Sequence, residues 1–345
     1  FGDDLKQEIT NVDKYFGSND VSQIIKYLCD KEFDQYDPDF QRSLLTPSHY
    51  GYLKISEGCD NNCSFCSIPI MRGLQKSQPI AWNVQEAQRM INSGVKEILV
   101  IAQDSTAYGW DLNPKASLAD LLEKLNDVEN LEWLRLHYAH PSHLTNKIID
   151  CFNHLEKLVP YIDMPIQHSS NSVLKDMRRG LKIEGIKRKI DKIKSINSNI
   201  AIRTSLIVGF PNESDADFNE LCNFVNEVRF DRLGVFKYSE EEGTYGKAAF
   251  TDNIPKRIKK ERFDELMKLQ MEINLSKNKN LIKSDQKVII DTQTQDGKSI
   301  GRTYRDSPDI DNTVTFNERL KVGAFYNARI LSASAYNLIG EVNYE

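Results

Sequence analysis

Between residues 50 and 238, six short apolar runs alternate with helical patterns, and that alternation leaves few folds open. The strand-like runs are Tyr50–Ser56, Glu97–Ala102, Trp133–Tyr138, Val159–Ile166, Ile200–Val208 and Leu233–Tyr238. Apolar residues at helical spacing fill Val84–Ser93, Leu118–Leu125, Asn146–Leu155, Ile186–Ile196 and Asp217–Val228. Such alternation implies parallel strands joined by right-handed crossovers. The long connections suit a barrel or partial barrel better than a small doubly wound sheet. Functional residues are then expected at the carboxyl ends of the strands.

The first strand delivers the chain into Cys59-x-x-x-Cys63-x-x-Cys66. Three thiols is one too few for a closed structural zinc site, which takes four ligands. It matches a four-iron cluster held through three irons, with the fourth open to another ligand. Thiolate is the soft donor such clusters take. A zinc knuckle would need a second ligand group close by, and no Cys-x-x-Cys follows. His137, His140 and His143 have tempting spacing, but Pro141 breaks any helix that would align them. A substrate pocket or strand-end packing suits them better.

The other cysteines, Cys29, Cys151 and Cys222, are scattered. This is no disulfide framework, so a reducing cytosol is expected. Cys151 and Cys222 fall in helical patterns and read as core residues. A net charge of −5 argues against a dominant polyanion-binding surface. No apolar run approaches the ~20 residues of a membrane-spanning helix, and the first residues lack the features of a signal peptide.

Pro255 opens a charged helix to about Ile282, with an apolar stripe at Phe263, Leu266, Met267 and Met271. Its basic residues Lys256, Arg257, Lys259, Lys260 and Arg262 read as a solvated face. From Lys287 the pattern turns to short strands: Lys287–Thr292, Ser299–Thr303, Val314–Phe316, Val322–Ile330 and Leu338–Val342. They suggest a small antiparallel barrel, closed to avoid exposed edges.

The cysteine spacing, with Phe65 before the last cysteine, resembles the hallmark of the radical S-adenosylmethionine (SAM) enzymes, whose usual fold is a six-stranded partial barrel. The resemblance implies an α/β fold with a [4Fe-4S] cluster on Cys59, Cys63 and Cys66. It also implies SAM as cofactor, bound at the free iron and cleaved reductively to a 5′-deoxyadenosyl radical; the protein aims and shields that chemistry. Further motifs narrow the match. Ile101-Ala102-Gln103-Asp104, Asp163-Met164-Pro165-Ile166-Gln167-His168, Met177-Arg178-Arg179-Gly180, Gly209-Phe210-Pro211-Asn212-Glu213 and Tyr238-Ser239-Glu240-Glu241-Glu242-Gly243-Thr244 together resemble the methylthiotransferase family. The terminal barrel, with Gly301 to Asp311, resembles that family's TRAM domain.

One branch of the family modifies adenosine in tRNA; the other methylthiolates the β-carbon of an aspartate in the twelfth small-subunit ribosomal protein. The motifs resemble the ribosomal-protein branch. The tRNA branch usually has an arginine where this chain carries Glu240, Glu241 and Glu242. A tRNA partner rewards cations, whereas three glutamates would attract a basic protein loop. Asp306, Asp309 and Asp311 are expected to add to that docking surface, although a solvated acidic turn would look the same. The rival readings are the tRNA branch and a non-catalytic nucleic-acid-binding protein with a structural metal. A brown colour distinguishes iron–sulfur from zinc.

Within this resemblance, Gly209 and Phe210 form a turn that brings backbone close to the cofactor, or an ordinary strand-to-helix turn. Arg203 pairs with the SAM carboxylate or forms a buried ion pair. Gln103 and Gln167 hydrogen-bond cofactor or substrate, or satisfy loop backbone. His168 contacts substrate or fills the barrel mouth. The organisation implied is a remnant of an amino-terminal domain over residues 1–48, a radical SAM domain over 49–250, a linking helix over 251–283 and a TRAM barrel over 284–345. Complete family members carry a second [4Fe-4S] cluster in the amino-terminal domain, and Leu28-Cys29-Asp30 does not match its cysteines. One cluster per chain is therefore expected here, with reductive SAM cleavage but no unaided sulfur insertion. A monomer and an external electron donor are expected, with no membrane partner.

Overall fold

A computed structural model describes residues 2–17, 20–32 and 42–344. Two helices precede the first strand: α1 (Gly2–Glu8) and α2 (Val21–Cys29). Part of the segment expected to be a domain remnant, residues 33–41, lies outside the described residues.

All six predicted strands form one parallel sheet: β1 (Tyr50–Lys54), β4 (Glu97–Ile101), β5 (Trp133–Leu136), β6 (Leu158–Asp163), β7 (Ala201–Val208) and β8 (Arg232–Lys237), in that spatial order. Chain order equals spatial order because each crossover returns the chain one strand further on. The crossovers are α4 (Ile80–Asn92), α5 (Leu118–Asn126), α6 (Asn146–His154), then α7 (Asn171–Asp176) with α8 (Ile183–Ile196), and α9 (Asp215–Val228). Ser117 and Ser214 close capping boxes at the starts of α5 and α9, which satisfies orphan backbone donors there. β6 ends at Asp163 rather than Ile166, because Pro165 has no N–H to give a ladder. Between β1 and α4 lie a two-residue ladder, β2 (Ser56–Glu57) with β3 (Lys76–Ser77), and the short helix α3 (Ile68–Arg72). They frame the cysteine loop.

After α10 (Tyr245–Ala249), the long helix α11 (Lys256–Lys279) packs on α9 and β8. The faces of α11 differ from the expected solvated basic face and apolar stripe. Lys259 and Arg262 are buried, not solvated, and Met271 is exposed. The inward face is mostly polar: Lys259 donates to Tyr238 O at 3.1 Å and Arg262 reaches Glu213 at 3.0 Å, while Gln270 donates to Phe230 O at 2.9 Å. Buried polar groups persist where they find partners.

The last five strands, β9 (Asp285–Gln293), β10 (Ser299–Thr303), β11 (Thr313–Phe316), β12 (Phe325–Ala333) and β13 (Asn337–Val342), close a barrel in the order β10-β11-β13-β12-β9. The barrel is not wholly antiparallel as expected, since β11 and β13 run parallel. It sits against the amino-terminal ends of the sheet strands. Ile289 and Phe325 join Trp133, Val159, Tyr161 and Ala201 in one apolar cluster. Around it lies a ring of buried charge. Glu97, fully buried, pairs with Arg135 at 2.7 Å and with Arg302 of the barrel. Arg232 donates to Asp306 at 2.8 Å, and Tyr161 to Asp311 at 2.9 Å. Among the described residues, no helix is long and apolar enough to cross a membrane.

Candidate functional site

The cysteine loop leaves β1 and β2 at the carboxyl end of the sheet and is tied down along its length. Gly58 enters it at φ +79°, and a side chain there would strike the Gly73 and Leu74 carbonyls; only glycine suits this close approach. Cys59 N donates to Gly73 O at 3.1 Å, and Cys66 N to Cys63 O at 3.1 Å. Ser64 is the hub. Its amide donates to Met177 O at 3.1 Å and its hydroxyl to Asp176 O at 2.7 Å, while its carbonyl accepts from Gly246 N at 2.6 Å. The loop is thus fastened to the end of α7 and the start of α10. Asn61 adds a fourth tie by donating to Asp104 at 2.7 Å, just past β4.

The donor set fits a cluster. Cys59 is buried while Cys63 and Cys66 are half-buried. Burial pushes the Cys59 thiol up to about 11 and also raises Cys66, so thiolates here require a bound cation to stabilise them. Arg179, buried to 3% exposure, donates to Cys63 Sγ at 3.1 Å.

Beneath the loop lies a second set. Phe65 packs on a buried cluster of Val173, Met177, Phe210 and Tyr238, with Phe210 and Tyr238 edge to face at 5.0 Å. Gly209 adopts φ +72°, as a tight turn needs, but the space its missing side chain leaves is filled by the Lys259 stem. On that side the turn packs against α11. Glu213 accepts from the amides of Gly209 (2.5 Å) and Phe210 (3.2 Å) and pairs with Arg262. Burial holds its carboxyl up at about 7 despite those donors.

Other predicted residues fall differently. Gln103 donates to Glu57 at 2.9 Å, leaving its side-chain oxygen buried without a partner. Gln167 sits at φ +74° and bridges to β7 through Ser205 O and Ile207 N. Arg203 is not at the mouth: it pairs with Asp163 at 2.9 Å and with Asp311 at 3.5 Å, toward the terminal barrel. Its guanidinium is committed to a buried ion pair, the second of the readings above. His168 is fully buried, its Nδ1 accepting from Ser170 N at 3.0 Å, and it cannot meet a docked protein. Asp306 is 1% exposed and Asp311 has a buried side chain. Both hold the domain junction together and offer no free charge. Asp309 is exposed and accepts from Tyr50 OH at 3.0 Å, at the start of β1. These three aspartates lie toward the opposite end of the strands from the cysteines. Glu240, Glu241 and Glu242 are exposed on the turn between β8 and α10, beside the mouth. Gly243 of that turn abuts Ile70 of α3, and Gly246 is bonded to Ser64.

Asp104, His140 and His143 do come together. Their contacts describe a hydrogen-bond network: His143 Nδ1 meets Asp104 at 2.7 Å, and Asp104 also accepts from Asn61 and Thr106. Burial works against the Asp104 charge, yet these donors hold its carboxyl down at about 2. Sequence reasoning assigned nothing to Asp104, Ser64, Arg179 or Glu213; the only local signal was their place inside quoted motifs.

Against this geometry, comparison with known proteins is decisive. The radical SAM superfamily model matches residues 53–225 and the TRAM domain model residues 284–342. A ribosomal protein uS12 methylthiotransferase RimO from Cytophaga hutchinsonii is 42% identical over 99% of this chain and 78% of its own length. The chain belongs to the ribosomal protein uS12 methylthiotransferase family. Another member, from Chloroherpeton thalassium, is 42% identical over 99% of the chain and 79% of its own length. The partial barrel is also similar to that of coproporphyrinogen III oxidase HemN from Escherichia coli, at TM-score 0.50 and 18% identity over 66% of this chain and 53% of that one. Membership of this radical SAM family implies a [4Fe-4S] cluster and SAM, and the three cysteines are the fitting ligands.

Proposed function

We propose that this chain acts in methylthiolation of the β-carbon of an aspartate in ribosomal protein uS12, supplying the radical SAM step. The observation that carries the reading is the 42% identity to uS12 methylthiotransferases across 99% of the chain. The placement of the acidic turn supports it. Glu240, Glu241 and Glu242 project at the cysteine mouth, where a Lys/Arg-rich loop of a ribosomal protein would be drawn in and a phosphate backbone repelled.

The cluster, when bound, supplies the electron that cleaves SAM. The chain's own residues do the rest. Cys59, Cys63 and Cys66 hold iron on a loop that Ser64 and Asn61 fix to three neighbouring elements. Phe65, Phe210 and Tyr238 form an apolar floor under that loop. Gln103, with its unpartnered oxygen, is the polar group just past β4 best suited to contact cofactor or substrate, and Gln167, just past β6, is a second candidate. An external electron donor is needed.

Binding measurements test the substrate. Purified uS12 should bind the anaerobically reconstituted protein, and changing Glu240, Glu241 and Glu242 together to Gln should weaken binding about tenfold, as for three rim charges at roughly 0.5 kcal/mol each. Formation of 5′-deoxyadenosine without uS12 should be unchanged. Tighter binding to tRNA than to uS12, or an unaffected triple variant, contradicts the proposal.

A further inference from the structure

Arg179 is a buried cation without a buried anion. Its side chain belongs to the turn Met177-Arg178-Arg179-Gly180 that ends α7, with Arg178 at φ +55° and Gly180 at φ +70°. Ser142 Oγ donates to the Arg179 carbonyl at 2.7 Å and the Arg179 amide donates to Leu174 O at 3.0 Å, so the backbone is fixed from both sides. The guanidinium is fixed too: Nη2 donates to Pro165 O at 2.7 Å and Nη1 to Cys63 Sγ at 3.1 Å. Nε is buried and has no partner. Among the described residues, every other buried arginine (Arg135, Arg232, Arg262 and Arg302) pairs with a carboxylate. Arg179 has none.

An arginine cannot shed its proton to escape this situation. A buried charge costs several kcal/mol unless an opposite charge compensates it. The fold therefore holds this guanidinium for an anion, and its one hydrogen bond to another side chain is to a cluster-ligand sulfur. Three thiolates around a [4Fe-4S] core carry net negative charge, which the guanidinium would balance through a charge-assisted N–H···S bond. We infer that Arg179 is the built-in counter-charge of the iron–sulfur cluster, a positioning residue that holds Cys63 and sets the cluster's reduction potential. This inference rests on the cluster assignment above and concerns how the protein tunes it. Hydrogen bonds and charges beside the sulfurs are among the levers by which proteins set such potentials. A fixed positive charge favours the reduced, more negative state.

Arg179→Gln and Arg179→Lys, reconstituted anaerobically in the full chain, test it. Iron and sulfide per chain report loading, and a redox titration followed by electron paramagnetic resonance reports the midpoint potential. R179Q should load iron as wild type does, with a midpoint shifted to more negative potential, and R179K should lie between. R178Q, whose guanidinium stacks on Tyr245 instead, should leave the midpoint where it was. A loaded R179Q with the wild-type midpoint overturns the inference, as does an equal shift in R178Q. If R179Q holds no iron, R179K decides. Loading by R179K with a near-wild-type midpoint supports the counter-charge, because only the cation is retained. Failure of R179K to load makes Arg179 a packing residue and overturns it. If loss of the cluster affected all chains, wild type included, the cluster assignment itself would have failed, a distinct result.

Discussion

Asp306 separates two accounts of the acidic terminal barrel: free charge for a partner, or a strut between domains. In the structure its carboxylate accepts from Arg232 Nε at 2.8 Å, from Thr303 Oγ1 at 2.8 Å and from Asn312 N at 3.2 Å. Asp306 is 1% and Arg232 5% exposed. Asp306→Asn preserves size but strands the guanidinium. Removing one partner of a buried pair costs about 3–5 kcal/mol. Unfolding entropy of about 2.1 cal/mol/K per residue gives roughly 0.7 kcal/mol/K for 345 residues. The expected fall in Tm is then about 4–7 °C for cooperative unfolding. The exposed pair Lys187–Glu227, at 2.7 Å, supplies the control: Glu227→Gln should move Tm by about 1 °C or less. Differential scanning calorimetry of the reconstituted protein reads both, and uS12 affinity should be unchanged in D306N. An unchanged Tm accompanied by weakened uS12 binding would refute the strut.

Further expectations concern the site's supports. A side chain on Gly246 would lie 2.7 Å from the Ser64 carbonyl oxygen, and both atoms are backbone-fixed; Gly246→Ala should therefore loosen the cysteine loop, read as faster iron loss to a chelator, and equal retention would count against Ser64 as hub. His168 is held neutral by burial, with its proton affinity lowered from 6.5 to about 3. Between those values the unfolded chain binds more protons than the folded one, so this group's contribution is present above pH 6.5 and is lost as pH falls toward 3. His168→Asn should flatten the acid side of a stability–pH curve by up to about 1.4 kcal/mol per pH unit within that window. Glu213, held up at about 7 by burial, acts in the opposite sense: stability falls as pH rises from 4.5 to 7, and Glu213→Gln should remove that fall. Urea titrations across pH 4–7 distinguish these outcomes from a pH-independent loss of packing.

The parts of this molecule that were legible in its sequence are those set by local chemistry. All six sheet strands and five of the crossover helices follow from apolar periodicity; the short α7 was not anticipated. The cysteine triplet is legible because its ligands lie within eight residues. What was not legible depends on distant partners. Lys259 and Arg262 read as solvated because a basic helix face usually is; Lys259 finds Asp252 and the Tyr238 carbonyl, and Arg262 finds Glu213, 49 residues away, only once the chain folds. Asp306 and Asp311 looked like surface acid because Arg232 and Arg203 are far away in the chain. Arg179 lies 116 residues from Cys63, so no spacing rule links them. Pro165 could have shortened β6 on sequence grounds, since its missing N–H is a local fact.

The central claim is that three cysteines hold an iron–sulfur cluster with one iron open to SAM. Electron paramagnetic resonance of the reduced, anaerobically reconstituted protein, recorded with and without SAM, tests it most directly. The account predicts a [4Fe-4S] signal whose g-values change when SAM is added, and its disappearance when Cys59, Cys63 or Cys66 is replaced by Ala. A spectrum indifferent to SAM, or a colourless protein containing zinc, would contradict it.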